Sequence, residues 1–178
     1  NLQPERSTGW DVGIEQPFDD GRFVVDCTYF GNDFTDLIQY YYDPLTQTYA
    51  LENVGRAYTS GVELSTTWNV NELTALFGNY THTFTTDLDD QVALLRRAPH
   101  KARFGIRRKI AETRGNVILD CLYVSPRLDV LGFAGTTTLN EYWLVNLAGT
   151  YDLTERVQLV ARIDNLLNEE YQEVYGYG

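Results

Sequence analysis

Eight stretches of the chain place apolar and polar side chains at alternate positions, joined by tight turns and longer loops. In Glu141–Tyr151, the residues Trp143, Val145, Leu147, Gly149 and Tyr151 share one side, while Asn146, Ala148 and Thr150 take the other. In Val157–Leu166, the residues Val157, Leu159, Ala161 and Ile163 oppose Gln158, Val160, Arg162 and Asp164. Successive side chains of a strand point to opposite faces, so each stretch becomes a strand with one apolar and one polar face. Such faces must meet either a protein core or lipid. The fold class is all-β, antiparallel and up-and-down.

The other strands are expected at Thr8–Gln16, Arg22–Tyr42, Tyr49–Trp68, Leu73–Thr86 and His100–Ala111, with a sixth running from Gly115 to Leu128. The second and third exceed the usual strand length of globular proteins. Connections near residues 19, 70, 113 and 153 are brief, with Asp19-Asp20-Gly21 supplying hairpin chemistry. Those near 45, 93 and 134 are expected to be longer and irregular. This asymmetry fits an outer-membrane barrel, with short periplasmic turns and longer external loops. Cys27 and Cys121 fall four strands apart, about 20 Å at 4.8 Å per strand, beyond the reach of a disulfide.

Composition narrows the partners. A net charge of −11 argues against nucleic acid, and no run is long and apolar enough for a transmembrane helix. Tyr, at 13 copies, suits interfaces wet on one side and greasy on the other. With odd strands descending toward the short turns, Trp10 and Trp143 sit at the outer end of the apolar face. Trp68 and Tyr151 sit at the inner end, which makes two aromatic girdles around an apolar band.

The polar face collects Glu15, Asp26, Glu63, Lys101, Arg103, Arg107, Asp120, Arg162 and Asp164, a charged wall suited to a wet or plugged lumen. Seven of the 14 basic residues lie between Arg96 and Lys109, and alternate placement along one strand reads as wall rather than nucleic-acid patch. Ligand contacts are expected on the outer loops, because function on a rigid barrel concentrates there. Candidates are Tyr40 and Tyr42 at the outer end of the second strand, Phe133 in the Gly/Thr-rich loop, and Arg96 and Arg97. The two arginines could touch an anionic ligand or satisfy loop carboxylates such as Asp89 and Asp90. No catalytic residue, cofactor or metal site is expected. His82 and His100 could lie close together, and Ser60 could join one of them only by sharing a face within hydrogen-bond reach.

The segment Leu2-Gln3-Pro4-Glu5-Arg6-Ser7, followed by Gly9-Trp10-Asp11-Val12-Gly13, resembles the corresponding segment of TonB-dependent outer-membrane receptors. The resemblance continues through Tyr29–Asp33, Glu52–Ala57, Gly61-Val62-Glu63, Leu94–His100 and Ile163–Asn168, and ends in Glu170–Tyr177. Leu94-Leu95-Arg96-Arg97, together with Tyr171 and Val174-Tyr175-Gly176-Tyr177, is most similar to the cobalamin-transporting branch. The resemblance implies a barrel of about 22 strands plugged by an N-terminal domain. Residues 1–178 would be its C-terminal part, roughly strands 14 to 21 of about 22. Plug, energy-coupling segment and last strand then lie outside this stretch, whose ends read as cut.

The implied partners are outer-membrane lipid of a Gram-negative bacterium, the protein's own plug, the TonB energy complex, and cobalamin or a ferric siderophore. No nucleic acid is implied. Two alternatives stand beside this reading. A self-contained eight-stranded adhesin or structural barrel requires contact between its first and last strands. An outer-membrane hydrolase requires a serine within reach of a histidine.

Overall fold

The computed structural model describes residues 2–43, 48–110, 112, 114–131 and 135–177, with backbone only at 39–43, 48–50, 52 and 54. Ten strands form: β1 (Arg6–Phe18), β2 (Phe23–Asp43), β3 (Thr48–Asn71), β4 (Thr74–Asp87) and β5 (His100–Ile110) come first. They are followed by β6 (Gly115–Val124), β7 (Arg127–Val130), β8 (Thr136–Leu139), β9 (Tyr142–Thr154) and β10 (Val157–Ile163). Eight of them make one antiparallel sheet in the order β1-β2-β3-β4-β5-β6-β9-β10, while β7 and β8 pair separately.

Nearest neighbours in sequence are nearest neighbours in the sheet, and β1 and β10 are its two edges. A closed eight-stranded barrel would join those edges; this sheet is open. Its accessible surface of 12710 Å² exceeds the roughly 8,800 Å² of a compact monomer of this mass. Large apolar side chains stay exposed at Val12, Ile14, Leu64, Phe104, Leu159 and Ile163. Among the described residues one small buried cluster, Ala98, Val124 and Tyr142 with Leu122, Leu144 and Tyr171 against it, lies where outer loops fold onto the sheet.

Most strand ends shift by one to three residues, as β1 does to Arg6–Phe18 and β3 to Asn71, and three differences shape the connections. The sixth strand leaves the sheet at Val124 instead of continuing to Leu128. Pro126 has no N–H for the ladder, and the buried Ser125 turns its hydroxyl to accept the His100 N–H at 3.0 Å. Arg127–Val130 then pairs with Thr136–Leu139, so the Gly/Thr-rich loop contains a hairpin. The last strand ends at Ile163 rather than Leu166, because Asn165 adopts φ 53° and its carboxamide bonds the Glu169 backbone at both atoms. The connection near residue 45 is not long, since β2 ends at Asp43 and β3 begins at Thr48. Its reach comes from the strands themselves. Beyond the bulge at Leu37, β2 and β3 pair only with each other, so this hairpin rises about 20 Å above its neighbours at 3.4 Å per residue.

Close approach across the sheet fixes one glycine. Phe77 lies over Gly105 on the polar face, and a Cβ there would sit 2.5 Å from the Leu119 carbonyl oxygen and 2.7 Å from the Phe77 ring. Backbone cannot yield as a flexible side chain does. Gly105→Val is therefore expected to destabilise the sheet by about 1–3 kcal/mol, read as a lower urea midpoint of the full-length protein. An unchanged midpoint would show that β5 and β6 can part without cost.

Candidate functional site

Antiparallel partners share a face, so the register carries side-chain direction from strand to strand. One row runs Glu15–Asp26–Ser65–Asn79–Arg103–Leu122–Leu144. Glu63 and Lys101 belong to the next row through Thr81, and Arg107 joins Arg162 through Ile118 and Ala148. Asp120, opposite Gly105 and Asn146, falls on the same face. Asp164 follows β10 and accepts a 2.7 Å bond from Arg162 Nε.

Charge on this face is divided. Glu15 stands directly opposite Asp26, with Glu63 one strand on, and like charges at that spacing repel. Lys101 and Arg107 sit on β5, across β4 from Glu63, and none of these five has an ion-pair partner among the described residues. Arg103 is matched instead. It donates to both oxygens of the buried Asp120 at 3.0 and 2.8 Å, Asn146 donates to the same carboxylate at 3.1 Å, and the Asn165 backbone N–H donates to Asn146 at 3.0 Å. This chain of bonds ties the segment after β10 to the wall.

Trp10, Trp68, Trp143 and Tyr151 lie on the opposite face. Trp10 packs on Tyr29 at 5.4 Å, Trp143 on Tyr123 at 4.5 Å, and the Arg114 guanidinium covers Tyr151 at 5.5 Å. Trp10 stands eight residues before the short-turn end of β1 at Phe18, and Trp143 eight residues before Tyr151 on β9, or ~27 Å of strand and ~20 Å of height at a 40° tilt. Trp68 and Tyr151 stand near the turns. Between the two levels the face carries only uncharged side chains, and Arg108, at the turn end, donates to Thr74 at 2.8 Å.

The outer loops converge on a residue that alternation gave no reason to notice. Asp129 of β7 is 0% exposed and holds three separate segments together. Arg96 Nε reaches it at 2.6 Å from the loop after β4, the Tyr175 backbone N–H at 2.7 Å from the segment after β10, and the Val130 N–H at 2.7 Å. The Tyr175 N–H first, then Arg96 and Val130, stabilise the ionised carboxyl and hold its pKa at about 2 despite burial. Beside it the buried Arg127 donates to the Gln172 carbonyl and covers the Tyr142 ring at 5.3 Å, while Tyr142 donates to Glu173 at 3.1 Å and stacks on Tyr171 at 4.4 Å. A cleft of about 760 Å³ opens between these segments, lined by Leu139, Asn140, Glu141, Asn165, Glu169 and Tyr171. That size suits a small organic ligand.

The expected ligand residues are scattered around this cluster. Arg96 meets a loop carboxylate, but Asp129 rather than Asp89 or Asp90; Asp89 is taken by Arg56, whose N–H and guanidinium lower its pKa. Arg97 bonds only the Arg96 carbonyl, at 3.4 Å, among the described residues. Tyr40 and Tyr42 pair through their backbones with Leu51 and Tyr49 on the protruding hairpin, and their side chains, like all of Phe133, lie outside the described residues. Ser60 shares a face with His82, but that imidazole bonds the Pro99 carbonyl and His100 instead.

A carboxyl with a depressed pKa contributes stability at pH values above its unfolded-state range and loses it as pH falls through the folded value. Hydrogen exchange at the Tyr175 amide should therefore stay slow at neutral pH and quicken as pH drops from about 4 toward 2, after correction for the intrinsic rate. In Asp129→Asn that acid step should vanish, with opening easier by about 1–3 kcal/mol at neutral pH. A wild-type profile flat through the acid range would refute the tie.

The TonB dependent receptor-like β-barrel family matches residues 1–166. The vitamin B12 transporter BtuB of Vibrio vulnificus is 27% identical over the whole of this chain, which spans 28% of that transporter's length. The pyoverdine receptor FpvA of Pseudomonas aeruginosa superimposes with a TM-score of 0.73 at 17% identity, over 99% of this chain and 27% of that one. The ferric enterobactin receptor of the same organism gives 0.72 at 22%, over 93% of this chain and 26% of that one. Open edges, a two-faced sheet and a match over nearly its whole length agree: the chain belongs to the TonB-dependent receptor family, as part of its β-barrel.

Proposed function

We propose that residues 1–178 form part of the wall and outer rim of a Gram-negative outer-membrane transporter that captures a scarce nutrient, cobalamin first. The apolar face meets lipid between the two aromatic levels, and the polar face lines the lumen. The division into opposite faces carries this reading: a row of charges on the lipid side would cost about 2–4 kcal/mol each near the midplane. No covalent chemistry is required, since capture by loops and passage past a movable plug involve only binding energy.

Similarity to the vitamin B12 transporter along the whole chain favours cobalamin. Ferric siderophores are the second choice, supported by the shared fold of the pyoverdine and enterobactin receptors. The outer cluster around Asp129, with its adjoining cleft, is the platform on which such a ligand would rest. Unpaired charges on the lumen face suggest how the plug is held. It should present cations opposite Glu15 and Asp26 and anions opposite Lys101 and Arg107.

Three measurements on the full-length receptor test this. In lipid vesicles, Leu119→Arg should cost about 2–4 kcal/mol of unfolding free energy and Thr81→Arg, on the other face, about 0–1; equal costs would overturn the assignment of faces. Cobalamin should bind saturably and resist displacement by ferric pyoverdine or ferric enterobactin; displacement by either moves the substrate to the second choice. The double charge reversal Glu15→Lys with Asp26→Lys should loosen the plug and admit antibiotics too large for ordinary porins. Unchanged sensitivity in a folded variant would remove the plug contact from this row.

A further inference from the structure

At the outer end of the apolar face, two imidazoles meet where aliphatic side chains would serve a lipid surface. His82 and His100 are directly opposite one another in the β4–β5 register. Their Nδ1 atoms lie 3.1 Å apart and their rings are nearly parallel, at 15°. Two oxygens close the group. The Tyr80 hydroxyl lies 2.8 Å from His100 Nδ1, and the Pro99 carbonyl oxygen 3.1 Å from His82 Nδ1. Phe84 stands edge-on against His82 at 4.1 Å and walls the group on one side.

Hydrogen bonding alone serves this group poorly. The Nδ1 of a neutral imidazole offers a single position, a proton or a lone pair, yet each Nδ1 here has two partners. A carbonyl oxygen only accepts, so His82 Nδ1 must hold a proton and share it between Pro99 and His100. The single lone pair of His100 Nδ1 must then serve the Tyr80 hydroxyl as well.

A cation removes the conflict. Metal–nitrogen bonds of about 2.0–2.1 Å place neighbouring donor atoms about 2.9 Å apart at a right angle and about 3.3 Å apart at the tetrahedral angle. Along the chain Tyr80–His100–His82–Pro99 the donors stand 2.8, 3.1 and 3.1 Å apart, so neighbouring donors already lie within reach of one ion. We propose that His82 and His100 chelate a divalent first-row transition metal ion through Nδ1, with the Pro99 carbonyl and the Tyr80 hydroxyl as weaker ligands. Imidazole nitrogen suits zinc, copper and nickel in preference to magnesium or calcium. The nearly parallel rings need a turn about χ2, a broad torsion for His, to aim both lone pairs at one point. Such an ion would pin β4 to β5 where the loop between them leaves and rejoins the sheet. The site does not depend on what the receptor transports.

The test uses full-length receptor stripped of metal with a chelator and titrated calorimetrically with Zn²⁺ or Cu²⁺. Wild type should bind one more equivalent in the micromolar range than His82→Ala with His100→Ala. Each single His→Ala variant should weaken that equivalent at least about tenfold, and Tyr80→Phe should weaken it less. With Cu²⁺, electron paramagnetic resonance should show hyperfine coupling to two imidazole nitrogens that the double variant lacks. Retained heat-modifiability on electrophoresis establishes that the variants are folded. Equal stoichiometry and affinity in wild type and the folded double variant would overturn the site, as would a Cu²⁺ spectrum without that coupling.

Discussion

Antiparallel register is the constraint from which the rest of this structure follows. Each strand keeps its side chains at period two, and each ladder pairs residues that point the same way. A single parity therefore runs from Ile14 on β1 through Cys27, Leu64, Tyr80, Ala102 and Tyr123 to Trp143 on β9. A slip of β5 by one residue against its neighbours would send Arg103 to the apolar face and Phe104 to the polar one. Tight turns of matched length, such as Asp19–Arg22 with its 3.1 and 3.0 Å backbone bonds, hold that register.

The sheet has no interior of its own, so its stability must come from what lies against each face. The apolar face exposes Val12, Ile14, Phe104, Leu159 and Ile163 as an oily surface, and the edges β1 and β10 offer unpaired backbone to further strands. Unpaired edges in lipid would be costly, which is why membrane sheets close into barrels. The chain belongs to a β-barrel family, and closure of such a barrel would give both edges neighbours.

Above the sheet a different logic holds. The outer segments carry no strict alternation, and polar contacts across long stretches of chain organise them. Asp129 takes its ligands from residues 33 positions before it and 46 after it. A buried carboxylate of this kind is stable only while its donors stay in place, so Asp129 ties the three segments to one another. Such a tie restricts the conformational freedom of the outer segments.

The sequence by itself determined the strands, their faces and the family. Alternation in Glu141–Tyr151 and Val157–Leu166 placed Trp143 opposite the polar side, and the nine charges assigned to one face derive from parity alone. Only tertiary structure decided the end of the sixth strand at Val124, the hairpin of β7 and β8, the partner of Arg96, and the Tyr80 and Pro99 oxygens around a His82–His100 pair whose closeness the sequence already allowed. The physical reason is range. Parity is a local property repeated every two residues, whereas Asp129 and the two imidazoles acquire their surroundings from chain segments whose separation in sequence carries no period.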